Sequence, residues 1–534
     1  MSRETDMNGT HDLDAISDGV STAHDRLLLF DDICDKILRR DAFVPGKLRD
    51  LGVDVRSELL RCRDQIVSAQ SDEALLYGLL KFSCARKDPH VRVFLVPGGL
   101  RLSSAPEITK PTRIDQLSVE TAPIKFTVDH SPGKELTIIV ADVAGVGGVD
   151  ATTLGITPGD LLVGVNGVSF DDYMSFVEPY SRYATRENLF WRVAKKIPQR
   201  TPEYPPYFFR DELHLTLQRT DDSIYSVRLP YYPPSTDMTW TGSWKEFGDF
   251  RYPGFSKAFS TSSYDFYRHE TRPVVLLDWY RFDQDLLENM QRLLDFAEKN
   301  ELFDHDVIFD ATRSRGGSLG AATVRCLTPK PFKTTFGNLR ISDIVEPFTQ
   351  YMHQRFEEGL SMTAEDGGHW LLDWLDTDVK DALDRGDEYS GNVPFKSSHL
   401  PKDSDGVMQP EERHFRGRLV CLLGPHGGSH LDQVAVMLFD NDLAHIIGMP
   451  AGGYSNTWEW DEVLTFPQSG KPVVGFMFSM GHTIRPNGEL LEGNPAPVHE
   501  YIPQTRENFI DYPEMLLEKA MVYLNYGETT HGSN

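Results

Sequence analysis

The chain has 534 residues, 40% hydrophobic and 25% charged, an ordinary globular composition spread over too much length for one core; at about 100–200 residues per domain it reads as roughly three domains. A formal charge of −26, from 54 basic against 80 acidic residues, argues against a nucleic-acid partner, because phosphate binding needs a concentrated positive face. The same acidity repels anionic membranes, and no run approaches the ~20 apolar residues that span a bilayer.

The polar, acidic N-terminus has neither a basic n-region nor an apolar h-region, so it does not read as a secretory signal. Five scattered cysteines (Cys34, Cys62, Cys84, Cys326, Cys421) without a C-x-x-C pair favour free thiols in a reducing compartment over a disulfide frame or a zinc site. The expectation is a cytoplasmic protein with no metal and no cofactor.

In chain order, residues 1–21 read as a disordered tail. Leu27, Leu28, Phe30, Ile33, Cys34, Ile37 and Leu38 predict an amphipathic helix over roughly 23–40, and Leu59, Leu60, Ile66, Leu75, Leu76, Leu79 and Leu80 a second over about 55–83. Val91–Leu95, closed by Pro97, Gly98 and Gly99, predicts a strand, so 22–120 is a helical domain with a hairpin. Asp88-Pro89-His90 sits where helix gives way to strand. Over 121–232 the pattern is β: a strand at Leu136–Val143, a tight turn at Pro158-Gly159-Asp160, a strand at Leu161–Val165 and the hairpin signal Asn166-Gly167. Residues 233–272, rich in aromatics, Ser and Pro without periodicity, read as a linker. Over 273–515 strands alternate with helices: Val274–Leu277, 284–299, Val307–Phe309, 318–326, then Leu419–Leu423, 430–441, Ala444–Ile447 and Val473–Phe478. That order predicts an α/β core with a mainly parallel sheet covered on both faces. An insertion, 327–417, carries a helical stretch at 366–385 and a polar loop from Gly391 to Asp405, and 516–534 is a C-terminal segment and tail. The acidic run near 364–389 reads as the wet face of a helix.

One stretch carries chemistry. In LVCLLGPHGGSHLDQVAVMLFDN (419–441) a buried strand enters a turn with Gly424, Gly427 and Gly428, then Ser429, then a helix marked by Leu431, Val434, Ala435 and Leu438. A helix N-terminus offers N–H donors and partial positive charge suited to an oxyanion. Ser429 there is either a nucleophile or a plain N-cap, and on local pattern alone the N-cap is favoured. Upstream, HDVIFDATRSRGGSLG (305–320) repeats the plan of strand, polar turn, Gly-Gly and helix. No Walker A, Rossmann fingerprint, H-E-x-x-H or G-x-S-x-G elbow occurs.

These two glycine turns, about one hundred residues apart, resemble the core of the tail-specific (C-terminal processing) serine proteases, and LGITPGDLLVGVNGVSFDDY (154–173) resembles their PDZ module. The resemblance implies a ClpP/crotonase-like core, an N-terminal helical domain and a PDZ-like domain at 121–232. It implies Ser429 as nucleophile, with Gly316, Gly317 and His430 supplying oxyanion N–H groups. Many members use a Ser–Lys dyad, with the lysine about 25 residues after the serine; here that position is Tyr454, and no lysine lies between Ser429 and Lys471. The tricorn-core branch uses histidine and glutamate instead. Asp88-Pro89-His90 before VRVFL resembles its Asp-x-His signature and implies His90 as the base. GELLEGNPAPVHEYIP (488–503) resembles its glutamate segment, although its Val and Asp are not kept; Glu492 is the implied acid, with Glu489 and Glu500 in reserve.

His426 and His430, flanking Ser429, rank below His90 because neighbouring positions point apart, and Asp432 is expected to support the helix terminus. Arg313, Arg315 and Tyr454 are expected to contact substrate. The implied partner is a protein or peptide, with a homo-oligomer left open. The same core also serves non-catalytic retinoid-binding proteins, so an inactive binding or scaffold protein is the alternative, and a small-molecule esterase a third reading.

Overall fold

The computed structural model describes residues 21–242, 244, 252–282, 285–358, 370–394 and 400–526. The predicted N-terminal tail up to residue 20, the chain end from 527, and parts of the linker, of the 366–385 helix and of the loop 391–405 lie outside the described residues. No described helix is long and apolar enough to cross a membrane. All five cysteines are buried.

Helix Ala23–Arg40 starts in a capping box, in which the Thr22 hydroxyl accepts from the Asp25 N–H and the Asp25 carboxylate accepts from the Thr22 N–H. The single helix predicted over 55–83 is instead Val55–Leu60, Arg63–Val67 and Asp72–Cys84. Local side-chain bonds break it. The Ser68 hydroxyl donates back to Asp64 O, and the Ser71 hydroxyl accepts from the Ala74 N–H to start the next helix. Helical periodicity survived the breaks, so the pattern hid them.

The strand after Asp88-Pro89-His90, Val93–Leu95, pairs with Thr112–Arg113 on one side and, across the molecule, with Pro472–Ser479 on the other. Pro472–Ser479 is thus not part of the parallel sheet, where the sequence put Val473–Phe478. It pairs antiparallel with Glu459–Thr465, whose alternating exposure marks a sheet wet on one face. A short N-terminal strand is therefore stitched into a hairpin of the core, which fixes where His90 can stand.

Residues 124–230 form an antiparallel sheet whose Asn166-Gly167 turn has φ of 53° and 89°, with Val165 opposite Val168. Helices Phe170–Val177 and Arg186–Lys196 occupy the segment between its strands. Met238–Trp240, expected as linker, joins this sheet against Ala144–Val146.

The central sheet has seven strands in the order Phe255–Ser260, Tyr264–His269, Val274–Trp279, Asp306–Asp310, Leu419–Leu423, His445–Gly448 and Glu500–Tyr501. The first two are an antiparallel hairpin in what read as linker; the other five run parallel. Exposed residues at Phe255–Ser260 dilute the apolar signal there. Along the inner strands Val275, Leu277, Phe309 and Cys421 face helices Leu286–Lys299, Gly320–Leu327 and His430–Asp440, while Val274, Leu276, Ile308 and Val420 face helix Tyr512–Tyr523. Burial on both faces is why Leu419–Leu423 is unbroken in hydrophobicity.

Candidate active site

The strand Leu419–Leu423 ends in the glycine turn and delivers Ser429 to the start of helix His430–Asp440. Ser429 has φ 61° and ψ −121°, a region that residues with a Cβ seldom occupy, and its hydroxyl makes no capping bond. The N-cap reading fails on that geometry. The strained backbone is held from two sides: the Ser429 N–H donates to Tyr454 O at 2.7 Å, and the Asp432 carboxylate accepts from the Gly453 and Tyr454 N–H groups at 3.1 Å each. Asp432 is fully buried; burial pushes its carboxyl up to about 7 against those two donors. It clamps the 453–454 loop over the serine, a task beyond helix-end support.

His90 Nε2 lies 3.0 Å from Ser429 Oγ, joining groups 339 residues apart. The imidazole is 8% exposed, and its position follows from the neighbouring strand, with the Met477 N–H donating to Arg92 O at 3.0 Å. Asp88 Oδ1 accepts the His90 backbone N–H at 2.8 Å and lies 3.6 Å from Nδ1, an electrostatic contact too long for a hydrogen bond. Asp88 Oδ2 accepts from the Ser479 hydroxyl at 2.5 Å. Burial would raise the Asp88 carboxyl, but its contacts with His90, Lys47 and Ser479 outweigh burial and hold it below the ordinary range. Burial would likewise lower the His90 imidazole; Asp88, with Glu459 and Glu492 behind it, outweighs that and raises it.

Glu492 is buried in the same region. Its Oε1 accepts from Lys47 Nζ at 2.6 Å, whereas its Oε2 and His90 Nδ1 are buried without a hydrogen bond among the described residues. Burial pushes the Glu492 carboxyl up to about 7, with Lys47 opposing and Asp88 adding to the rise. Glu489 is exposed and bonded to Asn487 and Asn494, and Glu500 pairs with Lys519 at 3.3 Å. Neither reserve is aligned with the imidazole by any such contact.

Gly316 lies against the serine, and Gly317 next to it packs on the Phe282 backbone. A Cβ on Gly316 would meet Ser429 Cβ at 2.8 Å and His430 N at 3.2 Å, and one on Gly317 (φ 154°) would sit 1.5 Å from Phe282 O, so neither position admits a side chain. The His430 N–H opens the helix, while its ring is turned away and accepts from the Gly320 N–H at 2.5 Å. The His426 ring packs on Trp191 at 3.6 Å between centroids, with the planes 44° apart. Tyr454 sets its ring edge-on to His90 at 5.3 Å and its hydroxyl accepts from Arg192 at 3.3 Å. Arg315 is exposed. Arg313 is buried between Asp278 at 2.8 Å and Asp310 at 3.2 Å and donates to the Tyr252 hydroxyl at 2.6 Å, so its guanidinium braces the sheet.

Three residues at the site were given no role by the sequence: Asp88, Ser479 and Lys47. Asp88 carried a usable signal, since an Asp two residues before a candidate base sits close enough to charge it. Ser479 and Lys47 carried none, being brought in from 391 and 445 residues away from their partners. Together the groups provide a hydroxyl, a base in contact with it, buried carboxylates behind the base and N–H groups at a helix start, the parts of an acyl-transfer centre. No cluster of three or more metal-ligating side chains occurs among the described residues.

No family model and no curated protein matches the chain. Its fold is shared with mature CPAF, at a TM-score of 0.68 and 15% identity over 94% of this chain and 98% of that one. Mature CPAF complexed with lactacystin aligns at 0.66 and 16% over 94% and 99%. The photosystem II D1 C-terminal processing protease aligns at only 0.40 and 12% identity over 89% and 93%. At these identities the likeness to CPAF is one of fold.

Proposed function

We propose that the chain is a serine peptidase with a ClpP/crotonase-like core, using Ser429, His90 and Glu492. The observation that carries the proposal is a strained, non-capping serine with an imidazole nitrogen 3.0 Å from its hydroxyl. Ser429 Oγ attacks the scissile carbonyl while His90 Nε2 takes the hydroxyl proton. The oxyanion forms beside the Gly317 and His430 N–H groups, where the helix dipole adds positive potential. His90 then returns the proton to the departing amine, leaving an acyl ester on Ser429. A water that gives its proton to His90 hydrolyses the ester, releasing the second product and restoring the hydroxyl. Glu492, with Asp88, supplies the negative charge that stabilises the imidazolium and keeps it aimed.

The substrate proposed is a protein or peptide with an extended end, taken up by strand addition to a PDZ-like module over 121–232. Arg192 of that module already reaches Tyr454 beside His90. At Val128–His130 the strand edge is filled by Gln504 of the core, which donates to Val128 O at 3.2 Å and accepts the His130 N–H at 2.8 Å. Strand addition is therefore proposed at the outer strand Ile224–Pro230, the other end of this sheet.

The test is Ser429→Ala assayed on an unstructured protein, with a fluorophosphonate probe in parallel. Turnover should fall by about 10³-fold or more, and labelling of the wild type should vanish in the variant. Unchanged cleavage would remove Ser429 from the mechanism. A wild type that neither cleaves nor labels would favour the binding-protein reading. Lactacystin, held by mature CPAF in one structure, is a further probe of Ser429.

A further inference from the structure

The base side of the site contains a buried cation that the mechanism above leaves unused. Lys47, in helix Val44–Leu51, is 2% exposed; its Nζ donates to Lys87 O at 2.8 Å and to Glu492 Oε1 at 2.6 Å. Those two acceptors belong to the chain segments that carry Asp88 and Glu492, two of the three acidic neighbours of His90. Lys87 directly precedes Asp88, and Glu492 belongs to the loop after the core strands. The helix also grips that loop through packing, since Leu51 Cδ2 lies 2.6 Å from where a Cβ on Gly493 would be.

Among the described residues, the neighbouring cations Arg86 and Lys87 bond elsewhere. Arg86 donates to Asp41 and to Met477 O at 2.8 Å each, and Lys87 points outward to Glu178 at 3.4 Å. The charged groups around the imidazole are thus Asp88, Glu492 and Glu459, with Asp432 on the serine side, the Asp41–Arg86 pair behind, and Lys47. Lys47 supplies the one hydrogen bond Glu492 makes within the described residues. A buried ammonium is expensive to desolvate, so two short bonds to segments 40 and 445 residues away are better explained by registry than by stability.

We infer that Lys47 is a positioning residue for the peptidase, holding Glu492 in place, and the Lys87–Asp88 backbone with it, around His90. This rests on the assignment of Ser429 and His90. Without the ammonium, Glu492 is left with no hydrogen-bond donor among the described residues, and its negative charge is less favoured still. The imidazolium then loses part of its stabilisation, and the acid limb of kcat/KM moves to lower pH.

The experiment compares Lys47→Met, Glu492→Gln and the double variant by kcat/KM across pH, and by NMR titration of the His90 ring. Each single variant should lose about 100-fold, the scale of a misplaced catalytic group. Both should shift the limb and the ring titration downward, and the double should be no worse than either single. A Lys47→Met protein that melts earlier but keeps the wild-type limb and rate would overturn the inference, as would losses that multiply in the double. If Lys47→Met does not fold, the double, which has no unpaired ion, is compared with Glu492→Gln. Equal limbs support the coupling; a wild-type limb in Glu492→Gln overturns it. If the wild type turns over nothing, the peptidase assignment fails, and the ring titration still decides whether Lys47 acts on His90 through Glu492.

Discussion

The serine and the histidine of this site are held by opposite means. Around Ser429 almost everything is local: a glycine turn, one carbonyl from Tyr454 and the Asp432 clamp force a backbone into φ 61°. Around His90 almost nothing is. Its surroundings come from Asp41, Lys47, Arg86, Asp88, Ser479 and Glu492: the Lys47–Glu492 ion pair and the Ser479–Asp88 hydrogen bond tie the N-terminal segment to the core, and the Arg86–Asp41 pair is buried within that segment. Strain stored in a few residues is insulated from distant change, whereas a network of buried charges is sensitive to every member and to pH.

The sharpest way to break this comparison is to remove one member of each set and read stability. Arg86→Met should destabilise by about 3–5 kcal/mol, because it leaves Asp41 buried without its hydrogen-bonded counter-charge. Arg86 and Asp41 are each 2% exposed at the side chain, with 2.8 Å between them, and burial already pushes Asp41 up to about 6. Ser429→Ala, by contrast, should change stability by less than about 0.5 kcal/mol, since its hydroxyl caps nothing. Denaturant midpoints decide it. Equal losses in the two variants would mean that the serine turn also depends on its side chain.

A smaller effect separates the two sides by pH. The raised pKa of His90, set by Asp88 against burial, means the base stays protonated above the ordinary value near 6.5. The proposed mechanism needs the neutral ring, so kcat/KM should rise with pH through an apparent pKa above about 6.5. The stability contribution runs the other way. A raised histidine stabilises the fold fully below its unfolded pKa and loses that contribution as pH climbs through the folded value. Activity and this part of stability therefore cross in one window. An acid limb at or below about 6.5 would show that Asp88 and Glu492 do not charge the ring.

The same division explains what the sequence revealed. The serine turn is contiguous, and its flanking strand is buried on both faces, so Leu419–Leu423, the glycines and the helix stand next to each other in the text. His90 was legible only through the Asp88-Pro89-His90 triplet, which gained meaning from resemblance. Lys47 could not be read at all. A lysine in the short helix Val44–Leu51 reads as solvent-facing, and its burial is decided by Glu492, 445 residues on. Pro472–Ser479 failed for a related reason, because an unbroken apolar run identifies a buried strand without saying which sheet it joins. The hairpin at 255–269 was lost among exposed positions of a half-covered edge.

The finest test of the contrast concerns strain alone. A non-glycine residue in the conformation of Ser429 carries about 1–3 kcal/mol of backbone strain, whereas glycine adopts positive φ at no steric cost but loses about 0.5–1 kcal/mol through its freer unfolded chain. Ser429→Gly should then be more stable than Ser429→Ala by about 1 kcal/mol, with both inactive, and the gain should appear as a shift in urea midpoint at unchanged m-value. Alanine is the right reference, since it removes the hydroxyl and keeps the Cβ that suffers the strain. A glycine variant no more stable than the alanine variant would mean the turn holds its shape without strain. Ser429 would then owe the placement of its hydroxyl to the surrounding Tyr454 and Asp432 contacts alone.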